Sequence, residues 1–268
     1  MRKIQILGAA LAVAALAPVA NATVFFNDDF STFTNGDLVG QGGWAQGGTV
    51  ATLPLRVNGG RVVISGGQTV DNQDAIKAAA AATVADGTSL FMGAQFTINS
   101  APTATGGSSY FLALRTGGFD NLRIAVRESS TGKFQLGLRF NGQGANSFAW
   151  GSELDYGVRY NLIAAFNSIA GATNDTAAVY INPTSQTIGL NTTYASVTSL
   201  ATDLVGPVDG VVISQFGNAT GTVSADLALA RVLLADNFRE AFDAVPEPAT
   251  MSILALGALA ALRRRNRK

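Results

Sequence analysis

Leu122-Arg123-Ile124-Ala125-Val126-Arg127-Glu128, the turn Ser129-Ser130-Thr131-Gly132, and Phe134-Gln135-Leu136-Gly137-Leu138-Arg139-Phe140 form the stretch that decides the fold. Large apolar residues recur at every second position in both arms, the period of a strand with one buried face. Phe134, Leu136, Leu138 and Phe140 point one way, and the polar turn joins the arms as a hairpin. Ile124, Val126, Leu136 and Leu138 are therefore expected in a core.

Working outward, the rest of the chain repeats that style. Strands are expected at Phe25–Phe30, Arg61–Ser65, Ser89–Ile98, Tyr110–Arg115, Val158–Phe166, Ala177–Ile181, Val211–Phe216 and Leu227–Leu234. Leu90, Met92, Ala94, Phe96 and Ile98 alternate within the third of these. Glycine, asparagine, aspartate and serine punctuate the intervals. Asp74–Val84 alone is ambiguous, because its alanines favour helix yet offer no apolar stripe to pack. Strands without βαβ alternation predict an all-β, antiparallel sandwich.

Composition narrows the chemistry. The chain has no Cys and no His, so it has neither a disulfide framework nor the residues most used in nucleophilic pairs and zinc sites. Formal charge is zero over the whole chain. Leaving out the charged residues of the two termini, residues 23–244 hold 11 Lys/Arg against 17 Asp/Glu, a net charge of −6. A domain so charged is not expected to seek nucleic acid.

Both termini read as addresses. Arg2 and Lys3 precede an apolar stretch from Ile4 to Ala17, Pro18 breaks it, and Ala20-Asn21-Ala22 supplies a signal-peptidase site. A signal peptide is thus expected at 1–22 and a folded domain at 23–244. At the other end, Val245-Pro246-Glu247-Pro248 precedes an uncharged run from Ala249 to Leu262, closed by Arg263, Arg264, Arg265, Arg267 and Lys268. As a single membrane helix, that run reaches about 21 Å, short of a roughly 30 Å hydrocarbon core. The basic cluster would stay cytoplasmic.

Residues 245–268 resemble the PEP-CTERM sorting signal of Gram-negative bacteria. The resemblance implies transient retention in the inner membrane and cutting near Pro246, Glu247 and Pro248 by an exosortase. Release to the cell surface or an extracellular polysaccharide matrix would follow.

A second resemblance rests on shorter matches: Asp28-Asp29-Phe30-Ser31, Asn35-Gly36-Asp37-Leu38-Val39-Gly40-Gln41, Gly43-Trp44, Val179-Tyr180-Ile181-Asn182-Pro183 and Leu229–Phe238. These are similar to laminin-G-like, concanavalin A-like jelly rolls. That likeness implies adjacent first and last strands, with Asp28 and Asp29 near Asp236, and leaves open a calcium ion at those three carboxylates. Some members of that superfamily are retaining glucanases with Glu-x-Asp-x-x-Glu on one strand. Here Glu153-Leu154-Asp155 ends on Val158, so the acid is missing, and a solvated pair is the ordinary reading.

Glycan binding is the sharper positive expectation. Trp44 and Trp150 both lie beside turn glycines, with Tyr156 close in sequence, and aromatic rings stack on sugar faces. Core packing is the competing role for each Trp. Taken together, the residues predict a non-catalytic, exported sandwich that meets polysaccharide. The alternatives are a hydrolase of the same fold with an unrecognised carboxylate pair, and a structural matrix component without ligand.

Overall fold

The computed structural model describes residues 22–47, 53–68, 73–79, 81–102, 109–130, 132–143, 147–199, 206–215 and 224–245. The expected signal peptide up to Asn21 and the tail from Pro246 onward lie outside the described residues. Among the described residues no helix is long and apolar enough to cross a membrane.

The first half of the chain forms β1 (Val24–Asp29), β2 (Gly36–Asp37), β3 (Trp44–Gly47), β4 (Arg56–Val57), β5 (Val62–Ile64), β6 (Asp74–Ala78), β7 (Thr83–Val84), β8 (Ser89–Ser100) and β9 (Ser109–Thr116). There follow β10 (Phe119–Ser130), β11 (Lys133–Phe140), β12 (Ala149–Trp150), β13 (Leu154–Asp155), β14 (Arg159–Asn167) and β15 (Thr176–Ile181). Next come β16 (Ala195–Thr198), β17 (Gly206–Ser214), β18 (Asp226–Ala235) and the α-helix α1 (Phe238–Ala244).

Among the described residues all pairings are antiparallel, and they build two nine-stranded sheets. Sheet A runs β16-β15-β14-β8-β18-β5-β4-β2, with β1 also on β18. Sheet B runs β12-β11-β10-β9-β17-β6-β3, with β13 on β11 and β7 on β17. The expected hairpin forms in register, Ile124 opposite Leu138 and Val126 opposite Leu136.

Alternation explains the sandwich. Leu122, Ile124, Val126, Phe134, Leu136, Leu138 and Phe140 are all buried from sheet B, as are Met92, Phe96, Leu162, Phe166, Leu229 and Leu234 from sheet A. Rings bridge the layers. Phe96 meets Phe111 at 6.0 Å between centroids, and Phe140 meets Phe166 at 6.0 Å, edge to face. Burial of such rings is the main favourable term in a chain without cross-links.

Within the ambiguous segment, Asp74–Ala78 and Thr83–Val84 are strand. β6 slots between β17 and β3, with Ala75 fully buried opposite Ile213. Small side chains suit that close approach, and the two neighbouring strands satisfy its backbone groups; tertiary context overrides alanine's helix propensity.

Sheet A is covered on its outer side. Phe238, Ala241 and Val245 of the α1 segment pack with Phe91, Ile163, Tyr180 and Leu233 in a second core. Arg231 locks this corner, donating to the Ala244 carbonyl at 2.7 Å and to Asp29 Oδ2 at 2.6 Å. Val245 is itself buried and its N–H reaches the Phe242 carbonyl at 3.2 Å.

Leu136 is 1% exposed. Leu136→Ala is expected to cost about 2–5 kcal/mol, read by denaturant unfolding, with the β-rich far-UV spectrum of the protein retained.

Candidate functional site

The hairpin that fills the core also writes an outer face. On β10 the positions between the core residues are Arg123, Ala125 and Arg127; on β11 they are Gln135, Gly137 and Arg139. Gly137 faces Trp150 across the β11–β12 pairing. A Cβ at Gly137 would lie 2.7 Å from the indole, so only glycine lets Trp150 lie against the sheet.

Trp150 is then clamped from several sides. Phe148 lies beside it, centroid to centroid 5.3 Å. The Arg127 guanidinium sits 4.1 Å from the indole centroid. Gln135 connects the two: its amide nitrogen donates to the Gly151 carbonyl at 2.8 Å, and its oxygen accepts from Arg127 Nη2 at 2.9 Å. Tyr194 supports the loop from below. It donates to the Ser152 carbonyl and accepts from the Leu136 N–H, with burial pushing its hydroxyl pKa up to about 12.

The arrangement repeats across the face. Arg123 lies 4.9 Å from the Tyr110 ring and Arg139 lies 4.6 Å from the Phe148 ring. Tyr110 and Phe148 are buried under these cations, while Trp150 is half-buried. Each such contact contributes about 0.5–2 kcal/mol. Tyr110 donates to Asp120 Oδ2 at 3.1 Å, and burial, followed by the charges of Asp74 and Asp120, raises its pKa. Burial, followed by the nearby charge of Arg123, lowers that of Arg139. The result is a layer of three rings and three guanidinium groups on one sheet face.

A second depression lies at the β2–β4–β5 edge, lined by residues including Asn35, Arg56, Asn58 and Ser65. Its lining contains no aromatic ring on which a sugar face would stack.

The residues singled out from the sequence scatter. Trp44 is 1% exposed, against Phe26 and Phe30, and donates from Nε1 to Asp28 Oδ2 at 2.8 Å. It is a core residue, and its ring is covered by protein. Tyr156 packs on Phe134 at 5.2 Å, at the inner side of the sandwich, so it does not extend the Trp150 platform. Trp150 alone of the three stands on the outer face. Sequence reading missed Arg123, Arg127, Arg139, Tyr110 and Phe148.

The aspartates do not gather either. β1 and β18 do pair, but Asp28 faces Val232 and Asp29 faces Arg231. Asp236 sits at the far end of the ladder and accepts from the Thr23 N–H at 2.7 Å. Antiparallel register thus sets it about 15 Å from Asp28, at roughly 3.3 Å per residue. Asp28 pairs with Lys77 at 3.3 Å and Asp29 with Arg231. Among the described residues no three His, Cys, Asp or Glu side chains form a group able to hold a metal ion. Glu153 accepts from Ser129 Oγ at 2.7 Å and Asp155 pairs with Lys133, both on exposed rim segments. Pro246, Glu247 and Pro248, with the basic residues Arg263, Arg264, Arg265, Arg267 and Lys268, lie outside the described residues.

Residues 244–268 match the PEP-CTERM protein-sorting motif. The chain carries that motif, which implies an exosortase as its processing enzyme and a secreted destination. No curated protein matches the chain. Among solved structures, it is similar to Bacteroides ovatus xyloglucan PUL GH43B, with 14% identity and a TM-score of 0.48, over 78% of this chain and 38% of that one. It is also similar to the CBM2 module of the Lactobacillus casei BL23 phage J-1 evolved Dit, with 10% identity, a TM-score of 0.44 and coverage of 81% and 96%. The heptameric SAP-like pentraxin of Limulus polyphemus follows at 14% identity and 0.42, covering 68% and 79%. At these scores the likenesses assign no ligand and no activity to this chain.

Two outcomes follow from the geometry. Asp28→Ala strips the acceptor from a buried indole N–H and is expected to cost about 1–3 kcal/mol in unfolding free energy. Asp29 behaves differently. Hydrogen bonds from Ser31, then the charge of Arg231, hold its carboxyl below the usual range against an opposing effect of burial. Its contribution to stability is therefore present above about pH 4 and is lost as pH falls through the lowered value. Asp29→Asn should flatten that acid limb in a pH series of thermal unfolding.

Proposed function

We propose that this protein is an exosortase-sorted component of the cell surface or extracellular matrix whose jelly-roll domain binds glycan without turning it over. The site is the outer face of sheet B at its β10–β11–β12 end. The observation that carries this reading is the half-buried Trp150, laid against the sheet at Gly137 with Gln135 and Arg127 beside it. Sugars are recognised by aromatic surfaces bordered by hydrogen-bond donors, and Gln135 and the arginines border this one. Trp150 is the ring with exposed surface, held in place by Gly137 beneath it and Gln135 at its side.

The non-catalytic part of the reading rests on chemistry. Retaining glycoside hydrolysis needs two carboxyl groups about 5–5.5 Å apart across a cleft. Glu153 and Asp155 are instead engaged with Ser129 and Lys133 at the rim. The ring layer itself is bordered by arginines, which neither donate a proton at neutral pH nor attack a sugar.

The sorting part rests on the tail and on where the domain stops. With Val245 packed against α1, a cut near Pro246–Pro248 leaves the whole fold, Arg231 clasp included, on the released side. The exported form is expected to end near Pro246–Pro248 in mass spectrometry, and an exported form retaining Arg-Asn-Arg-Lys would contradict the assignment. For binding, polysaccharide affinity electrophoresis should show retardation of the wild-type chain. Trp150→Ala should weaken it by about 1–3 kcal/mol, by analogy with base stacking on aromatic platforms. Reducing-sugar release that depends on Glu153 would overturn the non-catalytic reading.

A further inference from the structure

The outer face of sheet B carries Arg123, Arg127 and Arg139 on β10 and β11, although residues 23–244 as a whole are acidic. Arg123 and Arg139 stand directly opposite each other in the β10–β11 register. Like charges so placed repel, at a cost to the sheet. Four residues along β10 lies Arg127, about 13 Å away by strand rise. Neither Arg123 nor Arg127 spends its charge on a carboxylate. Arg123 Nε donates to the Asp120 backbone carbonyl at 2.9 Å, and Arg127 donates to the neutral Gln135 amide oxygen. Among the described residues neither forms an ion pair, whereas Arg56, Arg115, Arg231, Arg239, Lys77 and Lys133 all do.

Acids border this stretch at both ends: Asp120 is held by the Tyr110 hydroxyl and by Arg115 at 3.8 Å, and Glu153 accepts from Ser129 Oγ at 2.7 Å, two residues along β10 from Arg127. Arg123 and Arg127 lie between them. Stacking on a ring uses the flat face of a guanidinium and fixes its orientation, while the in-plane N–H fork is the part that matches a carboxylate. Arg123 and Arg127, so held on rings, form a preorganised pair of anion receptors about 13 Å apart by strand rise.

We propose that this end of sheet B takes an acidic polysaccharide, its uronate carboxylates received by Arg123 and Arg127 while Trp150 contacts a sugar face. The proposal rests on the glycan reading above and narrows it to one chemical class.

The test compares polygalacturonate with its carboxyl-reduced, neutral counterpart, using the full chain in mild detergent. Polygalacturonate should bind at least about tenfold more tightly, as one charge-assisted hydrogen-bonded contact implies. Binding should weaken as salt rises from about 0.05 to about 0.5 M, because screening acts on exposed charges. The double variant Arg123→Gln/Arg127→Gln should lose at least about tenfold in affinity, while Arg159→Gln, on sheet A, should not. Equal binding of both polymers, with loss in Trp150→Ala, would leave the glycan reading standing and overturn the acidic one. No binding of either polymer or of other glycans would overturn both. Equal retention of a DNA oligonucleotide would also overturn the assignment to sugar. The wild-type comparison of the two polymers holds whether or not the double variant folds.

Discussion

Side chains on a strand alternate between two faces, and in β10 and β11 this constraint sets both the core and the candidate site. The inward positions bring Leu122, Ile124, Val126, Phe134, Leu136, Leu138 and Phe140 into the main core. The outward positions are committed by the same period. Slipping either strand by one residue would bury arginines and expose phenylalanines, so the register is held by the full hydrophobic stabilisation of the core. The arginine layer inherits that rigidity. A binding surface on central strands is better preorganised than one on loops, and affinity rises when less must be ordered on binding.

The two outer faces then take different roles. On sheet A, α1 lies across β8, β14 and β18 and brings Phe238 against Phe91 and Tyr180. That face is closed by protein, and the chain leaves it directly into the sorting motif. On sheet B, no helix covers the face among the described residues; side chains of the sheet and of the β11–β12 connection cover it. The proposed glycan face and the α1 segment thus lie on opposite layers of one sandwich.

The strands were legible because alternation is a local pattern with a local cause. The segment Asp74–Ala78 was not, since its extended form comes from β17 and β3 on either side, distant in sequence. Trp44 illustrates a further limit. Its glycine neighbours suggested a loop, yet those glycines turn the chain so that the indole enters the core and meets Asp28. The Asp28–Asp29–Asp236 grouping followed correctly from adjacent first and last strands, but antiparallel register sends their ends in opposite directions. The arginines carried a signal that went unread. Arg123 and Arg127, with Arg139 on the partner strand, occupy the alternate positions of the very hairpin used to find the core. Their meaning depends on Tyr110, Phe148 and Trp150, which reach that face from a different strand and from the β11–β12 connection.

The central claim is that a sugar polymer lies on the outer face of sheet B and meets arginine there. A crystal structure of the protein with a uronic-acid oligosaccharide tests it most directly. The account predicts carboxylate oxygens within hydrogen-bond distance of Arg123 or Arg127, and a sugar ring against Trp150. An oligosaccharide seated instead at the β2–β4–β5 edge or on the loops around Asp236, with the arginine layer untouched, would contradict it.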